Sequence, residues 1–198
     1  MSLVTKELAS AFLAPIRGNF ALLLWHDIKT KTDLSRLIVG CLQHQSGPSM
    51  ILDSGVFYCT NVKRITDGSG LAEARISLLP EGDLEVSALL PLVSSEVKLL
   101  VIDDLNSLYS LAADGRRLHQ LTVLLKMLSY NARINDTWVI ATASRTDASP
   151  RREDANQRSL ATAGDMVVDA ESKGNSLTLK ARFMSGWPRG ELAVYFEM

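Results

Sequence analysis

Two short clusters in this sequence carry residue types suited to phosphate and metal chemistry. The first is Trp25-His26-Asp27-Ile28-Lys29-Thr30-Lys31-Thr32, which meets the phosphate-loop pattern G-x-x-x-x-G-K-[ST] at its final Lys-Thr pair. In that pattern the lysine reaches phosphate and the hydroxyl reaches magnesium. The glycines let backbone N–H groups wrap the anion at φ angles that other residues avoid. Trp25 and Thr30 stand at both glycine positions, and Asp27 adds negative charge where an anion would be received. The plainer alternative makes Lys31 a solvated charge and Thr32 the N-cap of the next helix. If His26 or Asp27 itself folds into the phosphate position, catalysis is excluded. The second cluster is Leu99-Leu100-Val101-Ile102-Asp103, a buried strand ending in a carboxylate of the kind that holds magnesium or its water. Asp104 could be the reaching acid instead, and either could simply cap the following element.

Other constellations are weaker. His26, His44 and His119 share no ligand spacing, so no metal site is expected. Ser107, Ser110 and Ser144 lack a nucleophile-elbow pattern. The segment 144–159 holds Arg145, Arg151, Arg152 and Arg158 against Asp147, Glu153 and Asp154. Three acids dilute the charge that phosphate binding needs, and a mobile, solvated loop is expected there. Trp187 and Tyr195 could anchor an interface or pack in the core.

These residues must be positioned by alternating strands and helices. Leu3 to Leu13 reads as a short helix leading into Pro15, and Phe20 to Trp25 as a strand buried on both faces. From Thr32 to Gln43 apolar residues recur with helical period, and Met50 to Leu52 is a short strand. Leu71 to Leu79 could be either helix or strand. Val97 to Ile102 is the strongest strand, Arg116 to Asn131 an amphipathic helix, and Trp138 to Thr142 another buried strand. Met166 to Val168 is strand-like, and Ser176–Phe183 with Glu191–Phe196 reads as a closing hairpin. The alternation predicts an α/β fold with a mostly parallel sheet, and ligands in such sheets bind beyond the carboxyl ends of the strands.

Length and composition fit one domain over residues 1–198. With 21 basic and 22 acidic residues, the balance argues against a general nucleic-acid or anionic-membrane binder. Two cysteines, Cys41 and Cys59, form no CxxC, which suits a reducing intracellular compartment, cytoplasmic or nuclear. No apolar run approaches the ~18 residues a membrane span requires, and no signal peptide is legible. The sequon Asn135-Asp136-Thr137 is then a chance match.

Taken in order, residues 15 to 197 resemble the RecA/KaiC family of recombinase-type ATPases. The resemblance is carried by Ile16-Arg17-Gly18-Asn19 entering the first core strand and by Ile51-Leu52-Asp53-Ser54-Gly55 with Phe57 and Lys63-Arg64. It continues through Lys98 to Leu108, Trp138 to Ser144, Ala163-Gly164-Asp165-Met166-Val167-Val168, and Leu179-Lys180-Ala181-Arg182. It implies a RecA-like three-layer sandwich with a C-terminal β-hairpin. In KaiC-like hexamers the matching K-x-R reaches a neighbouring subunit's phosphates, which points to Lys180 and Arg182 as inter-subunit residues. In active recombinases the loop matching 144–159 touches DNA, which makes single-stranded DNA a candidate partner through its four arginines. Where the family often supplies a catalytic glutamate, this chain has Gly55. Degenerate members occur among Elongator accessory subunits, recombinase paralogs and archaeal RecA-like proteins. The resemblance therefore implies an assembly partner of itself or a related RecA-like ATPase, with a setting in DNA repair or recombination and no cofactor expected. The alternative is an atypical ATP- and magnesium-binding NTPase using Lys31, Thr32 and Asp103.

Overall fold

Continuous apolar runs become strands covered on both faces, and that is how this chain builds its sheet. The computed structural model describes residues 6–53, 74–78, 86–94, 96–112, 114–145, 164–183 and 191–197. Strands β1 (Phe20–Trp25), β2 (Ser49–Asp53), β3 (Ala74–Leu78), β4 (Leu99–Asp103), β5 (Trp138–Ser144) and β6 (Met166–Lys173) are followed by β7 (Ser176–Phe183) and β8 (Glu191–Glu197). They form one sheet ordered β3-β2-β4-β5-β1-β6-β7-β8. The pairs from β3 through β6 are parallel, and β6-β7 and β7-β8 are antiparallel.

Alternate residues of each central strand feed two cores. Ala21, Leu23, Val101, Ile140 and Val168 pack against α1 (Lys6–Ile16) and α2 (Ile28–His44) through Phe12, Leu34, Leu37, Ile38 and Cys41. Phe20, Leu22, Leu100, Ile102 and Val139 pack against residues of the opposite layer, chiefly Leu121, Leu124, Leu125 and Leu128. That layer holds α3 (Pro91–Ser94), α4 (Leu105–Leu111) and α5 (Gly115–Asn135). Each fully buried large side chain contributes about 1.5–3 kcal/mol, so both faces are needed to hold the sheet. Burial pushes the Cys41 thiol upward, which leaves it an inert core residue. Among the described residues no helix is long and apolar enough to cross a membrane.

Several boundaries differ from the sequence reading. The first helix continues through Pro15 to Ile16, because Phe12, Leu13 and Ile16 are all buried and packing outweighs one lost backbone bond. The ambiguous stretch 71–79 contains a strand, Ala74–Leu78. The closing hairpin is present, but β6 adds to it, making a three-stranded meander. Only two residues join β6 to β7, and Gly174 at φ 56 supplies the positive angle that such a tight turn demands. Of the expected loop 144–159 only Ser144 and Arg145 are described. Arg151, Arg152, Arg158, Gly55 and Trp187 lie outside the described residues, as does the side chain of Tyr195.

One polar residue ties the layers together. The Asp165 carboxylate accepts from the Phe20 N–H at 2.9 Å, from the Ser129 hydroxyl at 2.7 Å and from the Arg133 guanidinium at 2.8 Å. It thereby fixes the entry of β1 against α5. Gly164 must stay small there, since a Cβ would lie 3.3 Å from the carbonyl oxygens of both Met166 and Phe20.

Candidate functional site

The carboxyl ends of β1 and β4 meet at Lys31, through Trp25 and through Asp103 and Asp104. The route from β1 to α2 explains how it arrives there. A phosphate loop would keep residues 25 to 30 in an open wrap, but here helix α2 begins at Ile28 and only His26 and Asp27 separate it from the strand. Asp27 is the N-cap, with φ −140 and ψ 162. Its carboxylate accepts from the Thr30 N–H at 2.8 Å and from the Thr30 hydroxyl at 2.8 Å. The expected N-cap at Thr32 is therefore corrected. Thr32 lies in the second turn, exposed, and its hydroxyl donates to the Ile28 carbonyl at 2.8 Å. The Asp-x-x-Thr cap starts the helix four residues before the first apolar-periodic residues suggest.

A helix N-terminus offers unsatisfied N–H groups and a positive dipole end to any anion. At α2 the anion is the chain's own Asp27. The Thr30 N–H beside it holds its carboxyl below the ordinary 3.8. Asp27→Ala should lower stability by about 1 kcal/mol, measured as a reduced urea midpoint. Because the folded pKa lies below the unfolded one, the stabilisation exists above pH 3.8 and fades as pH falls through the lower native value. The difference between the two proteins should therefore shrink in acid. A variant as stable as the parent at neutral pH would refute the cap's role.

Lys31 is not the solvated charge of the plainer reading. It is 9% exposed, and its ammonium lies 3.3 Å from an Asp104 oxygen and 3.7 Å from Asp103 Oδ2. The Trp25 ring, standing where the first glycine would be, lies 5.0 Å away and adds a cation–π contact. Thr30, standing where the second would be, is fully buried, and its hydroxyl also accepts from the Ser172 N–H at 3.2 Å. Both replacements of glycine are thus built into the packing.

The two acids after β4 divide their work. Asp104 caps α4 by accepting the Ser107 N–H at 2.8 Å through one oxygen and faces Lys31 with the other. Asp103 is 1% exposed and accepts from the Thr142 hydroxyl through Oδ1, while Oδ2 has no hydrogen-bond partner. Burial pushes its carboxyl above the ordinary 3.8, against the opposing pull of Lys31. Asp53, fully buried at the end of β2 and in register with Asp103, raises it further. Asp53 received no role from the sequence, although a second strand ending in Asp was a visible signal. Asn106 closes this edge by accepting the Ser144 N–H at 2.7 Å.

The remaining candidate residues sit on the meander side. Asp169 of β6 accepts from Arg145 at 2.9 Å and from Arg182 at 2.7 Å, so one carboxylate holds both guanidiniums. Lys180 lines a cleft of about 330 Å³ together with His26, Asp27, Asp169, Glu171 and Thr178. The structure thus gathers Lys31 with Asp103 and Arg145 with Arg182, and leaves Thr32 outside both groups. Among the described residues no group of three or more His, Cys, Asp or Glu could hold a metal ion.

No protein-family model and no curated protein sequence matches the chain. Solved structures do. A crystal structure of the RadB recombinase superimposes with a TM-score of 0.62 at 15% identity, covering 98% of this chain and 95% of that one. The flagellar accessory protein FlaH from Methanocaldococcus jannaschii superimposes with a TM-score of 0.54 at 12% identity, covering 89% and 84%. The fold is RecA-like, as the ordered motifs implied.

Proposed function

We propose that this chain is a non-catalytic RecA-like domain that works as an assembly partner or regulator, of itself or of a related RecA-like ATPase. The observation that carries the reading is the Asp27 carboxylate bonded to the first turn of α2, where a phosphate would otherwise sit. A nucleoside triphosphate fits these residues poorly. It would have to displace that carboxylate from its hydrogen bonds and draw Lys31 away from two acids and an indole ring. A setting in DNA repair or recombination is supported by the likeness to a structure described as a recombinase. Protein is favoured over single-stranded DNA as the partner, because Arg145 is already paired with Asp169.

Titration calorimetry with ATP and ADP in the presence of magnesium should detect no binding tighter than about 1 mM. Micromolar affinity with magnesium-dependent turnover would overturn the proposal. It would favour the second reading, an atypical NTPase, whose support is the approach of Lys31 to Asp103 at the carboxyl ends of the strands. In that case Lys31→Ala would abolish turnover and leave the fold intact.

A further inference from the structure

Helix α5 buries one face and leaves an apolar seam on the other. Leu121, Leu124, Leu125, Leu128 and Ala132 face the core. Outward, Val123, Met127, Tyr130 and Ile134 are 43%, 41%, 65% and 61% exposed. Their spacings of four, three and four residues keep them in line, as in the seam between two coiled helices. At 1.5 Å per residue the seam is ~17 Å long, room for three turns of a second helix. Scattered exposed apolar residues need no explanation, but four in helical register form a contiguous strip.

The strip has a flank whose charges are of one sign. Lys126 and Arg133 stand seven residues apart beside it, in line with His119, at the positions that set partner choice in helix pairs. Arg133 keeps 60% exposure although it bonds Asp165. Arg116 and Arg117 lie at the start of the same helix, and Gly115–Asn135 contains no acid.

We propose that the outer face of α5 docks an amphipathic helix of a partner protein whose flank is acidic. A second copy of this chain is a poor occupant. Antiparallel pairing about a twofold would set the basic flank against itself, with Lys126 near Arg133 of the other copy, and like charges there repel. Parallel pairing would oppose that flank to the other side of the seam, Gln120 and Asn131, which offers it no carboxylate. The acids must come from another protein. This inference deepens the scaffold reading and rests on it, by saying which surface does the assembling.

The test uses the full chain and two synthetic helical peptides with identical Leu and Ile seam residues, one flanked by Glu and one by Lys. In fluorescence anisotropy the Glu peptide should bind at least about tenfold tighter than the Lys peptide. Tyr130→Ala with Ile134→Ala should remove most of that binding while circular dichroism shows the fold unchanged, since both residues are exposed. Lys126→Glu should narrow or invert the preference. Equal binding of the two peptides, or no binding of the Glu peptide below about 1 mM, overturns the proposal. So does self-association in sedimentation that the Tyr130 and Ile134 substitutions abolish, because the occupant would then be a second copy. ATP binding would sink the scaffold reading and leave the peptide result standing, so the two failures are distinguishable.

Discussion

Lys31→Met should destabilise the chain by about 3 kcal/mol, the scale found when one partner of a buried charge pair is removed. For a domain of this size that is roughly 6–12 °C in melting temperature. The loss arises because Asp103, 1% exposed, would keep its carboxylate in the interior with only the Thr142 hydroxyl for support. Its pKa is already raised by burial, and losing the ammonium would raise it further. For a carboxyl whose folded pKa exceeds the unfolded 3.8, stability is full below 3.8 and declines as pH rises through the folded value. The Lys31→Met protein should therefore be relatively more stable in mild acid than at neutral pH, and more so than the parent. Adding Asp103→Asn should recover part of the loss. Chemical denaturation across pH checks all three statements. A Lys31→Met protein as stable as the parent at pH 7 would show that the ammonium is free to serve something else.

Restoring the two glycines, as Trp25→Gly with Thr30→Gly, should not create a nucleotide site and should cost about 3 kcal/mol. Glycine in place of threonine in the first turn of α2 costs about 0.3 kcal/mol in helix propensity, and the two lost Thr30 hydroxyl bonds add about 1–2 kcal/mol. Removing the indole takes away its contact with Lys31, worth about 0.5–1 kcal/mol, along with its share of the core. Asp27 would still occupy the helix end, and Lys31 would still face Asp103 and Asp104. Denaturation together with ATP–magnesium calorimetry decides the matter. Micromolar binding by the double variant would mean that the glycines were the whole deficit.

Much of the scaffold was legible because its signals are strong and local. Phe20–Trp25, Leu99–Asp103 and Trp138–Ser144 are apolar throughout most of their length, as strands covered on both faces must be. The leucines of α5 recur with the period of one buried face. The start of α2 was harder to place, since Ile28 is 74% exposed and breaks the apolar period. Only the cap of Thr30 by Asp27 marks it, and the phosphate-loop template drew those same residues into a different alignment. Helix α4 is seven residues long, too short for a periodic signal, and its one cue was Asp104 as cap. The orientation of Lys31 lay beyond reach, because the acids that hold it are more than 70 residues away in sequence. Arg145 and Arg182 read as available cations, for the carboxylate that binds both is supplied by a third strand.

The place of β1 in the sheet also governs when the protein can be finished. Phe20–Trp25 hydrogen-bonds on one side to Trp138–Ser144 and on the other to Met166–Asp169, so both of its neighbours are synthesised long after it. At ~5–20 residues per second the ribosome needs roughly 6–24 s to add the nearer one. During that interval a six-residue apolar segment has no native strand to pair with, and its backbone donors and acceptors remain open. A strand paired on both sides in the finished fold is thus aggregation-prone in the nascent chain, where a chaperone would meet it early.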